Sequence, residues 1–263
     1  SVGISAWNKL FDETMSSLSF KVRGYAEPLQ LEAALNLLSD PKRNNREMAA
    51  KSLSEVFKEK IPLFTRITNT LTKEKSIEDQ WRNFPTPQHS RHLSNDVETE
   101  VVEALRSTVI KSYPKISHRY YKLKAKWMGL EKLEIWDRNA PISFEDNESY
   151  SWDEAKAIIL KSFGKFDRRM KSLAEPFFAN NWIDAGVTKG KAPGAFSHPT
   201  VSNVHPFILI NFLGKQRDVM TLAHELGHGI HQTLASRQGE TLSQTPLTLA
   251  ETASVFGEML VFQ

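Results

Sequence analysis

TLAHELGHGIH, Thr221 to His231, restricts what this chain can fold into more than any other stretch. His224, Glu225 and His228 form an H-E-x-x-H pattern whose logic is helical. Residues four apart share a helix face, so both imidazoles can reach one metal ion. Glu225, beside the first of them, can point at a water that the metal activates and act as its general base. Gly227 and Gly229 are poor choices inside a helix, each costing about 1 kcal/mol relative to alanine. A close approach by another backbone would justify them. His231 shares the face of His228 and is a candidate for an outer hydrogen bond or a substrate contact.

A catalytic zinc site takes three protein ligands and leaves a position for water. The extended pattern with a third histidine fails, because His231 and Leu234 stand where it needs glycine and histidine. The chain has no cysteine, so a carboxylate must complete the set. Glu240 sits in a polar loop, SRQGET. Glu251 and Glu258 lie seven apart on the predicted last helix and share a face. Either could be delivered by a second helix packed on the first, and the spacing leaves both open.

The first half reads as successive amphipathic helices, one opening near Pro28 and one over Asn45–Ile61 that Pro62 ends or kinks. Ser94 is a cap for a helix over Asn95–Tyr113 with an apolar stripe at Val97, Val101, Leu105 and Val109. Pro114 opens another, stopped by Gly129. In the run KSYPKISHRYYKLKAKW, Lys111, Lys115, Lys122 and Lys126 read as a solvated face, and Ile116, Tyr120, Leu123 and Trp127 as a core face. That arrangement argues against nucleic-acid binding despite the basic and aromatic interleaving. After Glu131 the texture changes. Ser151 and Glu154 form a capping box, and His205–Phe212, HPFILINF, reads as a buried strand. Asp218 caps the helix carrying the histidine motif, and Thr245-Pro246 starts the last one. The organisation is a helical lobe over 1–130 and a mixed segment over 131–263. Asn147-Glu148-Ser149 is a glycosylation sequon with no function assigned to it.

A net charge of +3 and 40% hydrophobic residues are ordinary for a globular chain and argue against a disordered one. No apolar run approaches the roughly 18 residues of a membrane span, and the first residues do not read as a signal peptide. Zero cysteine fits a reducing compartment, and the expected location is cytoplasmic. Both ends read as though the chain is a piece of something longer.

HELGHGIHQTLA followed by TPLTLAETASVFGEML resembles the zinc oligopeptidases of the thimet oligopeptidase family, most of all their oligoendopeptidase F branch. DRNAP, WIDAG, GKAPGAFS, HPFILINF and RDVMTLA extend the resemblance upstream. It implies a mainly α, zincin-like (gluzincin) fold with a small β-sheet beside the active site and helical lobes around a deep cleft. The implied activity is cleavage of internal bonds in short peptides by a zinc metalloendopeptidase. The third ligand of one Zn2+ per chain is then the glutamate of AETAS, Glu251, 23 residues after His228. Thermolysin-like spacing would put it at Leu247 or Thr248, which carry no carboxylate. Gly194, Ala195 and Phe196 would lie by an edge strand beside the substrate backbone, and Glu258 could hold a ligand imidazole in one tautomer.

Family members continue well past the third ligand, where His and Tyr side chains stabilise the tetrahedral intermediate. Here 12 residues follow Glu251. Slow hydrolysis is therefore expected from this chain alone, with a C-terminal segment needed for full activity. The competing reading is a catalytically silent fragment or scaffold that keeps a structural zinc or binds peptide. Neither reading calls for a membrane or nucleic-acid partner.

Overall fold

The computed structural model describes residues 2–142 and 149–262. Asn147 and Glu148 of the sequon lie outside them. The protein is mainly helical with one small sheet, the fold class expected. It divides into two compact units, Ser1–Asp146 with Lys189–Ala192, and Asn147–Thr188 with Pro193–Gln263.

The first unit holds α1 (Ile4–Ser17), α2 (Leu31–Asn36), α3 (Arg43–Trp81), α4 (His89–Ser94), α5 (Thr99–Ser112) and α6 (Ser117–Trp127). A cluster of Leu18, Phe20, Leu31, Ala34 and Leu53 forms its core. Pro62 does not end α3. It withholds one ladder hydrogen bond, but the apolar face runs on through it. Phe57 and Phe64 meet across the proline with ring centroids 6.3 Å apart, Phe64 packs on Phe11 at 5.7 Å, and Ile67 is buried. Ser94 is the last residue of α4 rather than a cap. Asp96 takes a positive φ of 49° just after it, which breaks the helix, and α5 starts four residues after the sequence suggests. Gly129, at φ 68°, stops α6 as expected. The four lysines are exposed as read, but so are Ile116, Tyr120, Leu123 and Trp127. The buried positions of α6 are Lys124 and Ala125, with Lys124 donating to the Arg138 carbonyl at 2.8 Å.

Residues 131–142 go with this unit, beyond the boundary expected at 130, and an ion cluster explains why. Fully buried Asp137 accepts from Arg46 at 2.8 Å and from Arg43 at 3.0 Å, tying the segment to the start of α3. Burial by itself would raise the carboxyl's pKa. The two guanidiniums outweigh it and hold the group at about 2.

The second unit holds α7 (Trp152–Phe166), α8 (Arg168–Ala179), β1 (Ile183–Asp184), β2 (Phe196–His198), β3 (Phe207–Leu209), α9 (Gln216–Ala235) and α10 (Leu247–Phe262). The capping box of α7 forms, with the Ser151 amide donating to Glu154 at 2.8 Å and the Glu154 amide to Ser151 Oγ at 3.3 Å. HPFILINF supplies β3, the middle strand of a sheet ordered β1-β3-β2, parallel to β1 and antiparallel to β2. Ile208 and Ile210 pack with Ile159, Phe163 and Phe177 of α7 and α8 and with Val219, Leu222, Leu226 and Ile230 of α9. α9 begins at Gln216, slightly earlier than the sequence suggests. Asp218 is its third residue, and its carboxylate accepts from the Lys215 amide at 3.0 Å. One face of α9 is therefore fixed by the sheet and α8, and another is left to α10. Among the described residues no helix is long and apolar enough to cross a membrane.

Candidate active site

Glycine sets how closely α9 and α10 approach. A Cβ on Gly227 would lie 2.7 Å from the Ala253 carbonyl oxygen and 2.9 Å from Ser254 Cα. A Cβ on Gly257 would lie 2.7 Å from the Ala223 carbonyl oxygen. Gly227 thus meets a second backbone, as its place in the motif suggested. Gly229 instead makes room for the Phe177 ring, which would stand 2.7 Å from its Cβ.

This contact brings α10 against the histidine face of α9. His224, His228 and Glu251 each present one ligand-type atom, and the three atoms lie within 4.8 Å of one another. Glu251 Oε2 is 3.4 Å from His224 Nε2 and 3.6 Å from His228 Nε2. Both imidazoles are anchored by α10 as well. His224 Nδ1 meets Glu258 Oε1 at 2.9 Å, and His228 bonds the backbone of Ala250. With Glu258 accepting at Nδ1, His224 keeps its Nε2 lone pair for a metal. Burial lowers the pKa of His228, which favours the neutral ring that a metal requires. Glu258 is therefore a neighbour of the first histidine and not one of the three clustered donors.

Glu225 is 5% exposed, and its buried Oε2 has no hydrogen-bond partner among the described residues. Burial pushes its pKa up to about 7. His224 opposes the rise, and the nearby carboxylates of Glu251 and Glu258 add to it. A buried carboxylate with an idle oxygen costs stability unless something else needs it. A dication would suit these residues: it would relieve the crowded carboxylates and use a donor set of two imidazoles and one carboxylate.

His231 is half-buried with its pKa lowered by burial. It acts on His228 only through space and lies outside the three-donor cluster. Glu240 bonds the Ser202 amide at 3.0 Å, away from the cluster. Gly194 takes a φ of 80°, and its carbonyl accepts from Asn211 Nδ2 at 2.9 Å. Ala195 packs on the core, and Phe196 opens β2 with its side chain largely exposed.

β2 is an outer strand of the sheet, and its free edge can be identified. The Ile208 and Ile210 amides donate to the Trp182 and Asp184 carbonyls at 2.9 Å, so those residues face β1. By alternation Phe207 and Leu209 face β2, where they pair with His198 and Phe196. The backbone of Ser197 is left facing outward. There its carbonyl accepts from Gln232 Nε2 at 3.1 Å, and its Oγ donates to Gln232 Oε1 at 2.8 Å. His224, His228 and Gln232 are successive i, i+4 positions, so the strand edge runs beside the histidine face. The sequence reading missed Gln232, although that stripe could have pointed to it. It also missed Ser254, which lies one turn past Glu251 and bonds its carboxylate at 2.9 Å.

The pattern of peptidase family M3 matches residues 36–263. Group B oligopeptidase PepB of Streptococcus agalactiae is 27% identical over 86% of this chain and 37% of its own length. Oligopeptidase PepF of Bacillus subtilis is 26% identical over 86% of this chain and 34% of its own. The chain thus spans little more than a third of the length of these relatives. A solved structure of PZ peptidase A with an inhibitor superposes with a TM-score of 0.87 at 20% identity, over 98% of this chain and 47% of that one, a likeness of fold. With a family pattern running from α2 through the clustered donors of α9 and α10, this chain belongs to peptidase family M3.

Proposed function

We propose that this chain carries the metal-binding and general-base part of a zinc endopeptidase acting on short peptides. The observation that carries the reading is Glu225, a buried carboxylate with an unpartnered oxygen and a pKa near neutrality, beside three clustered donors. A structural metal site needs no such group. His224, His228 and Glu251 would hold one zinc ion per chain, with Glu258 keeping His224 in the tautomer that offers Nε2. Zinc in that donor set supplies Lewis acidity, polarising a peptide carbonyl and acidifying water.

Glu225 takes the proton from the attacking water and delivers it to the leaving amine. A pKa near the working pH suits both transfers. With a dication bound nearby, that pKa would be drawn down, which would favour the carboxylate form Glu225 needs for the first. Gly194 and Ala195, which lead into β2, and Phe196, which opens it, would lie beside the substrate backbone, since β2 runs along the histidine face of α9. His231 is close enough to His228 to contribute to the same surface. Short peptides as substrates follow from the likeness to the oligopeptidase relatives. Donors for the tetrahedral intermediate would come from a C-terminal segment, and a cytoplasmic location accords with the cysteine-free sequence.

The test is zinc content together with hydrolysis of a quenched fluorescent peptide, for the chain with and without the C-terminal segment of its relatives. Near-unit zinc, and hydrolysis that a chelator abolishes, are expected, with much the faster rate when the segment is present. Zinc unchanged in Glu251→Ala would remove that residue from the site.

A further inference from the structure

An exposed glutamate samples several rotamers, and holding it in one costs side-chain entropy. Glu251 faces that problem, because its side chain is 45% exposed. Ser254 supplies a tether. It is fully buried, and its Oγ lies 2.9 Å from Glu251 Oε2 and 2.9 Å from the Glu251 carbonyl oxygen.

Serine hydroxyls bonding the carbonyl three residues back are common in helices. Ser16, Ser17, Ser94, Ser172 and Ser236 do so here. That bond by itself therefore says nothing about a role. Ser254 differs in being buried and in also reaching a carboxylate. Its one hydrogen can serve one acceptor at a time. The carbonyl of Glu251 sits in the interior of α10, where the helix ladder already supplies an amide donor, and a bond to a charged oxygen is the stronger choice. The oxygen Ser254 reaches is Oε2, the same atom that faces both histidine Nε2 atoms. A carboxylate oxygen has lone pairs for both.

Resting on the zinc reading above, we infer that Ser254 is a positioning residue that selects Oε2 of Glu251 as the third ligand atom. It works with the glycine contact, since Ser254 Cα stands 2.9 Å from the Cβ position of Gly227. The packing that brings α10 to α9 thereby also buries the tether.

Zinc affinity is measured by competition with a chromophoric chelator on four forms of the 263-residue chain: wild type, Ser254→Ala, Glu251→Ala and the double variant. The metal-free melting temperature is recorded for each. Loss of an outer hydrogen bond to a ligand typically weakens metal binding about 10–100-fold, and that loss is expected in Ser254→Ala. Metal-free melting should stay at the wild-type value, and Ser254→Ala should add nothing in the Glu251→Ala background. Unchanged affinity in Ser254→Ala would overturn the inference. So would an equal loss in both backgrounds, which would assign the effect to packing even if the variant melts lower. Failure of the zinc reading itself looks different: wild type would bind no zinc, or Glu251→Ala would bind it as tightly as wild type.

Discussion

Asp137 and Glu225 are both buried carboxylates, one in each unit, and their surroundings drive them in opposite directions. Asp137 is 0% exposed between Arg43 and Arg46 and is held at about 2. Glu225 is 5% exposed, forms no ion pair among the described residues, has two other carboxylates nearby, and is pushed to about 7. The first is satisfied and ties a loop to a helix. The second is left with an idle oxygen among metal-type donors. Burial of an acid therefore does not distinguish a structural role from a chemical one. The partners do.

The largest effect should come from Glu225→Gln. In a hydrolysing form of the protein it should lower peptide turnover by about 10²–10⁴-fold, the usual worth of a positioned acid–base group. Zinc content should be unchanged and the melting temperature equal or higher. Wild-type turnover in that variant would end the contrast, because Glu225 would then be an idle buried acid.

Asp137→Ala should act on stability alone. It strands Arg46 in the interior without a counter-charge, which typically costs about 3–5 kcal/mol. Urea unfolding measures this, and zinc content of the folded fraction should not change. A loss below 1 kcal/mol would mean that water reaches the cluster.

Titration sharpens the same comparison. The folded pKa of Asp137, about 2, lies below its ordinary 3.8. Its stabilisation of about 2 kcal/mol is present above the unfolded value and is lost as pH falls through the folded one. Glu225 has the opposite sign: in metal-free protein the folded state holds its proton longer, so stability falls as pH rises from its ordinary 4.5 toward 7. Unfolding midpoints across pH 2–8, for wild type, Asp137→Asn and Glu225→Gln, should show each variant losing its own slope. A slope retained in its variant would assign that titration to another group.

The smallest effect is expected at Leu105. It sits on the predicted core stripe of α5, yet it is 65% exposed and no residue of α5 is fully buried. Leu105→Ala in this chain should change unfolding free energy by no more than about 0.5 kcal/mol. A loss of several kcal/mol would show that the stripe is covered in solution.

The α5 result marks how far periodicity reaches. Apolar residues four apart predict a helix, and α5 is one. They do not say whether the face is covered, because a helix in isolation carries the same pattern. At Pro62 a local rule allowed an end or a kink, and the helix did not end there: the Phe57, Phe64 and Phe11 contacts continue its apolar face past the proline. Ser94 failed as a cap because the backbone turns at Asp96.

Within the site, what was legible locally was the content of one helix. Imidazoles four apart and a glutamate between them need only helical geometry to share a face, and 3.6 residues per turn supplies it. That part of the site is written into Thr221–His231. Spacing could not choose between Glu251 and Glu258, since residues seven apart on a helix point the same way; only resemblance to a family favoured the first. The arrangement of α10 on α9 separates them, placing Glu251 Oε2 near both Nε2 atoms and Glu258 on the far nitrogen of His224. Gln232 and Ser254 lay beyond local reading for the same reason. Each acts on a group whose position depends on how a strand or a second helix packs, and that packing is set by close backbone contact at Gly227 and Gly257, which no period in the sequence encodes.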